Sequence, residues 1–198
     1  MKYVDVDGEQ VPKLGLGTWQ IEGDKARESV RDALEIGYRH IDTAQAYQNE
    51  KQVGEGIEES SVDRDDVFLT TKVWKDNARP NDVHSSTEES LRKLGTDYVD
   101  LLLLHWPVDG VPVSETLNAM AELKNEGKVR HIGVSNFTPT QLAEARTVQP
   151  VVTNQVEYHP YLDQSEVLAE VRKNDMFLTA YSPLARGQVI QDEVLDSI

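Results

Sequence analysis

The stretch Tyr38-Arg39-His40-Ile41-Asp42-Thr43-Ala44-Gln45-Ala46-Tyr47 contains a short buried strand that ends at Asp42 and a following turn without glycine. Similar buried strands lie at residues 67–72 and 99–105, and helical patterns separate them. This regular alternation with short links predicts parallel strands joined by right-handed crossovers. An open nucleotide-binding sheet usually carries a glycine-rich turn after its first strand. Because that turn has no glycine here, the sequence favours a barrel over an open sheet.

The hydrophobic pattern on either side of this stretch predicts the other strands. An N-terminal β-hairpin is predicted from residues 3–6, a turn at Asp7-Gly8 and residues 11–16. The predicted barrel strands are residues 38–42, 67–72, 99–105, 130–134, 151–156 and 176–181. No low-complexity segment or linker interrupts this order, so we expect a single domain over residues 1–198.

Short polar residues before the helical patterns predict where helices begin. Asn49 with Gln52, and Asp163 with Glu166, have the spacing of capping boxes. Thr138 precedes a proline and is predicted to cap the helix that follows it.

The composition excludes several classes of function. The chain has 198 residues, a formal net charge of −15 and no cysteine. So acidic a surface repels phosphate backbones and anionic lipids, so we expect neither nucleic-acid nor membrane partners. Disulfides and thiolate sites cannot form without cysteine. The N-terminus lacks the apolar core of a signal peptide, and no apolar run is long enough to span a membrane, so we expect a cytoplasmic protein.

Ionisable residues follow the ends of three predicted strands, and this placement predicts an active site. Asp42, Lys72 and His105 would meet along the carboxyl-end rim of parallel strands, and Tyr47 lies one short turn beyond Asp42. A lysine cation near a tyrosine lowers the phenol pKa, and a carboxylate keeps the lysine charged. The set suits protonation of a carbonyl oxygen, for which the natural partner reaction is hydride transfer from a nicotinamide.

Each of these residues also has an ordinary structural interpretation. Asp42 could cap a turn, Lys72 could form a structural ion pair, and His105 could pack in a loop. Their joint placement on successive strand ends favours function. The other histidines are scattered and show no metal-ligand spacing, so no metal site is expected.

Several longer motifs, in order along the chain, resemble those of the aldo-keto reductase family. The matching stretches are Leu14-Gly15-Leu16-Gly17-Thr18-Trp19, Gly37-Tyr38-Arg39-His40-Ile41-Asp42-Thr43-Ala44 with Tyr47, Thr71-Lys72-Val73-Trp74, Leu104-His105-Trp106-Pro107, Ile132-Gly133-Val134-Ser135-Asn136-Phe137, Asn154-Gln155-Val156-Glu157-Tyr158-His159-Pro160 and Ala180-Tyr181-Ser182-Pro183-Leu184. The Gly-Thr-Trp and His-Trp-Pro motifs are similar to those of the diketogluconate and small-aldehyde reductase branch of the family.

The resemblance implies a (β/α)8 TIM-barrel-type fold and NADPH-dependent reduction of small aldehydes and ketones, with NADH as a possible coenzyme. It implies that Tyr47 is the general acid, that Lys72 and Asp42 tune it, and that His105 orients the carbonyl. The remaining implied contacts are Gly17, Thr18, Asp42, Ser135, Asn136, Gln155, Tyr181, Ser182 and Leu184 for the cofactor and Trp19, Trp74, His105 and Trp106 for the substrate. Trp106 could equally fill the core.

The length sets this chain apart from the family pattern. It is shorter than the roughly 250 residues of a typical barrel, and about six of the eight βα units are predicted. We therefore expect a barrel that is incomplete at the C-terminus, lacks the phosphate-binding loops and binds nicotinamide weakly. A fragment of a reductase, which would be a monomer at full length, is favoured over an inactive truncated scaffold and over an assembly component completed by another chain.

The net charge of −15 allows either a heavily hydrated surface or adaptation to a salt-rich cytoplasm. If the surface is salt-adapted, screening will weaken its self-repulsion, and we expect Tm to rise by several degrees between low salt and about 1 M KCl. Thermal unfolding followed by circular dichroism measures this. Chloride is the proper anion because sulfate strengthens hydrophobic burial by itself. An unchanged or falling Tm would contradict the adaptation to salt and would support the interpretation as a heavily hydrated surface.

Overall fold

The strands form two sheets in the computed structural model, which describes residues 1–6 and 8–197. The strands are β1 (Tyr3–Val6), β2 (Glu9–Pro12), β3 (Leu16–Gly17), β4 (His40–Asp42), β5 (Phe68–Val73), β6 (Val99–Leu104), β7 (Val129–Ser135), β8 (Thr153–Glu157) and β9 (Phe177–Tyr181). In the described part of the chain, β1 and β2 pair antiparallel, and the other seven strands form one parallel sheet in sequence order from β3 to β9.

Helices follow the barrel strands and cover the outside of the sheet. They are α1 (Asp24–Glu35), α2 (Glu50–Glu58), α3 (Pro80–Leu94), α4 (Val113–Asn125), α5 (Pro139–Val148) and α6 (Ser165–Lys173). Each helix contacts the next one along the chain, as in the outer ring of a TIM barrel. The TIM-barrel-type fold and the N-terminal hairpin are therefore confirmed. None of the helices in the described residues is long and apolar enough to cross a membrane.

Six βα units are present in the described residues, as predicted, but their sheet has seven strands, so the prediction of six barrel strands was wrong. The additional strand is β3, which the sequence pattern merges with the second strand of the hairpin. The hairpin ends at Pro12, and Leu16 and Gly17 pair instead with Ile41 and Asp42 of β4. A two-residue strand is too short to show alternation, so only its distant partner identifies it. Of the predicted hairpin turn, Asp7 lies outside the described residues.

The side chains at the helix starts follow the prediction at one of the three positions. Thr138 forms a complete capping box with Gln141, so its role is confirmed. Asn49 occupies the cap position of α2 but makes no capping bond, because its side chain bonds other loops. Asp163 accepts a hydrogen bond from the backbone N–H of Ser165, and no capping box forms with Glu166. Both predicted capping boxes were wrong.

A close approach of α2 to α3 depends on glycine. A Cβ atom added to Gly54 would lie 2.3 Å from the carbonyl oxygen of Leu94, far inside van der Waals contact. Only glycine lets the two backbones meet at this distance.

Ion pairs connect the amino-terminal ends of the barrel strands with the hairpin. Glu9 bonds His131, and Arg130 lies 3.4 Å from Glu9. Asp100, at the start of β6, accepts hydrogen bonds from Arg64 at 3.0 Å, Arg130 at 2.9 Å and the backbone N–H of Leu69 at 2.9 Å. These contacts hold the hairpin across the end of the barrel opposite to the predicted active site.

Replacing Asp100 should destabilise the fold. Its side chain is 2% exposed, so Asp100→Ala leaves the N–H of Leu69 buried without an acceptor. We expect the free energy of unfolding to fall by about 2–3 kcal/mol, measured by urea denaturation. Asp32→Ala is the matched control, because Asp32 forms a pair with Arg31 but is 65% exposed. Its loss should be under about 1 kcal/mol. Equal losses in the two variants would contradict the structural role of Asp100.

Candidate active site

The carboxyl ends of β4, β5 and β6 bring the predicted ionisable residues together. Asp42 is the last residue of β4, Lys72 is the penultimate residue of β5, and His105 directly follows β6. Tyr47 ends a 3₁₀ turn that spans Gln45–Tyr47. The prediction that these residues meet at one rim is confirmed by their contacts.

Lys72 is the centre of this cluster. It is completely buried, and its ammonium donates to Asp42, to the backbone carbonyl of Thr43 at 2.8 Å and to the hydroxyl of Tyr47 at 3.4 Å. An ammonium has three donors, and all of them are used here. The carbonyl of Thr43 was not predicted from the sequence, because a backbone acceptor leaves no signature in the residue type.

The cluster holds the phenol protonated and the amine charged. Burial raises the pKa of Tyr47 above its ordinary value of 10.0, although the cation of Lys72 acts in the opposite direction. Burial by itself lowers the pKa of Lys72, but the contacts with Asp42 and Tyr47 outweigh it and raise the pKa above 10.5. We expected Lys72 to lower the pKa of Tyr47, and the effect of its cation is in that direction. The net shift of the Tyr47 pKa is nevertheless upward, because the effect of burial is larger.

His105 lies against the phenol ring as a neutral imidazole. Its ring centroid is 5.7 Å from that of Tyr47 and 5.3 Å from that of Trp74, both edge to face. Burial, and then the cation of Lys72, lower the pKa of His105 to about 4. Its Nδ1 is buried without a partner in the described part of the chain, which leaves Nε2 as the nitrogen available to a ligand.

Polar residues at the ends of β7, β8 and β9 form a second, connected group. The amide of Asn136 donates to the carbonyl of His105 and to the hydroxyl of Ser135, each at 3.0 Å, and it accepts from the hydroxyl of Tyr181 at 3.0 Å. Gln155 donates to Asp42 at 2.8 Å. This last bond connects the two groups, so the predicted cofactor residues adjoin the predicted catalytic ones.

A cleft of about 1350 Å³ opens beside both groups. The tryptophans predicted to wall a substrate pocket, Trp19, Trp74 and Trp106, line it, and Trp19 and Trp106 are 47% and 42% exposed. Gly17 and Ser182 also line the cleft. Tryptophans exposed at a cleft are suited to holding a small molecule rather than to filling a core.

Two residues predicted to contact a cofactor do not line this cleft. Thr18 is buried, and both its N–H and its hydroxyl donate to the backbone carbonyl of Asp42, at 2.9 and 3.2 Å. Thr18 therefore fixes the carbonyl at the end of β4 through these two hydrogen bonds. Leu184 is 60% exposed on the segment after β9. Their contact with a cofactor stays a prediction.

The structure also shows site residues that the sequence analysis missed. Asn49 donates to the carbonyls of Thr18 and Ile21, and Gln45 makes side-chain bonds to the loop after β5. The Arg186 guanidinium lies 5.3 Å from the centre of a Trp19 ring. No spacing rule predicts such loop-to-loop bonds. Within residues 1–6 and 8–197, no group of three or more potential ligands is placed to hold a metal ion.

The barrel and the cluster of ionisable residues at its carboxyl rim are typical of an α/β-barrel enzyme. The model of the aldo/keto reductase family matches residues 13–196. The chain belongs to this family of oxidoreductases.

Relatives and solved structures agree with this membership. Methylglyoxal reductase DkgB of Escherichia coli O157:H7 is 44% identical over 193 residues, which cover 95% of this chain and 72% of that protein. A crystal structure provisionally assigned as 2,5-diketo-D-gluconic acid reductase B has a TM-score of 0.97 and 52% identity, over 100% of this chain and 71% of that one. The Bombyx mori aldo-keto reductase in complex with NADP has a TM-score of 0.89 and 36% identity, over 96% and 68% of the two chains. The predicted resemblance to the diketogluconate and small-aldehyde reductase branch is confirmed.

The neutral state of His105 can be tested by proton NMR. We expect its imidazole to titrate near pH 4. Because the pKa of His105 is lower in the folded protein, its contribution to the free energy of unfolding is complete above pH 6.5 and is lost as the pH falls toward 4. Lys72→Met should raise the pKa of His105, because it removes the cation that repels the protonated ring. Lys51→Met removes a 71% exposed cation and should leave the titration unchanged. A His105 pKa near 6.5 in the unmodified protein would contradict this description.

Proposed function

We propose that this protein reduces aldehydes and ketones to alcohols, with NADPH as the hydride source, NADH as the alternative coenzyme and Tyr47 as the general acid. The observation that carries the proposal is the hydroxyl of Tyr47, which lies 3.4 Å from the buried ammonium of Lys72 and lines the large cleft. We propose the whole chain as a single domain with one site.

In the proposed reaction, the phenol of Tyr47 gives its proton to the carbonyl oxygen. The carbonyl carbon would receive a hydride, which a reduced nicotinamide held by Ser135, Asn136 and Gln155 would supply. The C=O double bond becomes a single bond, the carbon gains a hydrogen, and the oxygen becomes a hydroxyl. Solvent then returns a proton to the phenolate. The phenol of Tyr47 carries its proton at neutral pH, because its pKa lies above 10.0, and the cation of Lys72 offsets part of the acidity that burial removes.

Lys72 and Asp42 are proposed to stabilise the phenolate that remains. The ammonium already contacts the hydroxyl oxygen of Tyr47, so a negative charge there would be attracted without rearrangement. Asp42 keeps the buried amine charged, since burial by itself would favour the neutral form. His105 is proposed to donate from Nε2 to the carbonyl oxygen, for which a neutral imidazole is the suitable form.

The residues at the ends of β7 to β9 fit the nicotinamide half of the cofactor. Ser135, Asn136 and Gln155 offer hydroxyl and amide groups of the kind that pair with a carboxamide, and Tyr181 offers a ring at the same wall of the cleft. Ser182, next along the chain, is proposed to begin the diphosphate contacts, with Leu184 beyond it. Gly17, which ends β3 and lines the cleft, and Thr18, which follows it, are proposed as further cofactor contacts. The choice of NADPH is supported by a relative whose structure contains NADP.

Small carbonyl compounds are the proposed substrates. Trp19, Trp74 and Trp106 form apolar walls near Tyr47 and His105, which suits a compact molecule with one reactive oxygen. A relative with 44% identity is a methylglyoxal reductase, which supports methylglyoxal as the first substrate to test.

Tyr47→Phe tests the proposed acid directly. It removes the transferable proton and keeps the ring, so kcat for methylglyoxal with NADPH should fall at least about 100-fold. The dissociation constant of NADPH, measured by fluorescence titration, should stay within about twofold. The assay is the loss of NADPH absorbance.

Tyr38→Phe is the matched control, because Tyr38 precedes β4 at the opposite end of the strand. It should retain full turnover. Normal turnover by Tyr47→Phe would contradict the acid assignment. NADPH binding by the unmodified chain without any carbonyl-dependent oxidation would instead support a non-catalytic scaffold.

A further inference from the structure

Gln45 uses its whole side chain to connect three segments around the proposed site. Its Oε1 accepts from the backbone N–H of Trp74 and from the amide of Asn77, each at 2.9 Å. Its Nε2 donates to the hydroxyl of Ser86 at 3.1 Å and to that of Ser90 at 3.3 Å. A glutamine amide has two donors and an oxygen with two lone pairs, so its hydrogen-bonding capacity is filled.

The bonds of Gln45 complete a closed series of contacts that runs through Trp74, His105 and Tyr47. Gln45 begins the 3₁₀ turn that ends at Tyr47. Its side chain holds the backbone of Trp74, whose indole packs edge to face against His105. The imidazole of His105 in turn packs edge to face against the phenol of Tyr47. Any shift of the turn relative to the loop after β5 therefore changes the separation of the phenol and the imidazole.

The Nε2 of Gln45 is held by the half-buried Ser86 and the buried Ser90. Ser90 is 1% exposed and donates to the backbone carbonyl of Ser86 at 3.0 Å. Beside this network, Glu50, which is 2% exposed, accepts from the hydroxyl of Thr71 at 2.7 Å. Thr71 precedes Lys72 on β5, the strand that carries the ammonium. A buried, fully bonded network has one favourable geometry.

We propose that Gln45 is a positioning residue, which sets the distance between the proton donor Tyr47 and the carbonyl-orienting His105 through its bonds to the Trp74 loop and to α3. This inference rests on the proposed function and adds a determinant that borders the cleft but whose amide is bonded wholly to other protein groups. A misplacement of about 1 Å between reacting groups can cost about 100-fold in rate. Loss of the Gln45 bonds should therefore lower kcat and leave binding of the nicotinamide nearly unchanged.

Gln45→Met is the decisive variant, because methionine has a similar length and shape but none of the four hydrogen bonds. We expect kcat for methylglyoxal to fall about 10- to 100-fold, with the dissociation constant of NADPH within about twofold. Gln45→Glu keeps the acceptor for Trp74 and Asn77, and the hydroxyl of Ser86, whose bond to the carbonyl of Val83 is long at 3.4 Å, can turn to donate to its second oxygen. It should recover most of the lost kcat.

Gln149→Met is the matched control. Gln149 directly follows α5 and donates to Asn118 at 2.8 Å in an exposed contact far from the cleft. The same substitution there should leave kcat unchanged. The positioning role is overturned if Gln45→Met keeps kcat within twofold, if kcat and NADPH binding collapse together, or if Gln45→Glu loses as much as Gln45→Met.

A second measurement separates this inference from the proposed function. The Tyr47 and His105 rings, 5.7 Å apart between centroids, should give nuclear Overhauser contacts in the unmodified protein and in Gln149→Met. Those contacts should weaken in Gln45→Met, because their intensity falls steeply when the rings move apart by about 1 Å. If the unmodified protein shows no turnover, the proposed function fails, and the Overhauser intensities still decide the role of Gln45. Intensities in Gln45→Met equal to those of the unmodified protein would overturn it whatever the turnover.

Discussion

The buried ammonium of Lys72 is the constraint that organises the carboxyl rim of this barrel. A charge with no access to water is tolerated only when it is paired and fully hydrogen-bonded. Asp42, the carbonyl of Thr43 and the hydroxyl of Tyr47 meet that requirement, and they fix the end of β4 and the turn after it relative to β5. The second oxygen of Asp42 accepts from Gln155 at 2.8 Å, so β8 is tied to the same charge across the barrel interior.

The contacts that stabilise this charge are the ones that the proposed chemistry uses. The phenol of Tyr47 stays protonated because burial disfavours its anion, while the adjacent cation would stabilise that anion once it forms. The same cation helps to keep His105 neutral, so a protonated phenol and a neutral imidazole face one cleft. One electrostatic arrangement thus sets two protonation states. The amino-terminal end carries a separate set of ion pairs around Asp100, which contributes to stability away from the site.

The parts of the fold that follow from local pattern were predictable, and the parts that depend on distant partners were not. Thr138 caps its helix as its spacing indicates, because both partners lie within one turn. Asn49 has an equally good local signature, yet its amide bonds carbonyls at Thr18 and Ile21 that lie far away in sequence. The two-residue strand β3 was missed for the same reason, since only its pairing with β4 defines it. Gln45 carries no local signal at all.

The sequence by itself determined the alternation of strands and helices, the barrel class and the identity of the ionisable residues at the strand ends. It could do so because hydrophobic periodicity and strand-end position are local properties of the chain. Only the tertiary structure decided the seventh strand, the upward net shift of the Tyr47 pKa and the hydrogen-bond ring through Gln45. Each of these features depends on residues that are distant along the chain and that folding brings together. Burial and side-chain partners are set by distance in space rather than by distance along the chain.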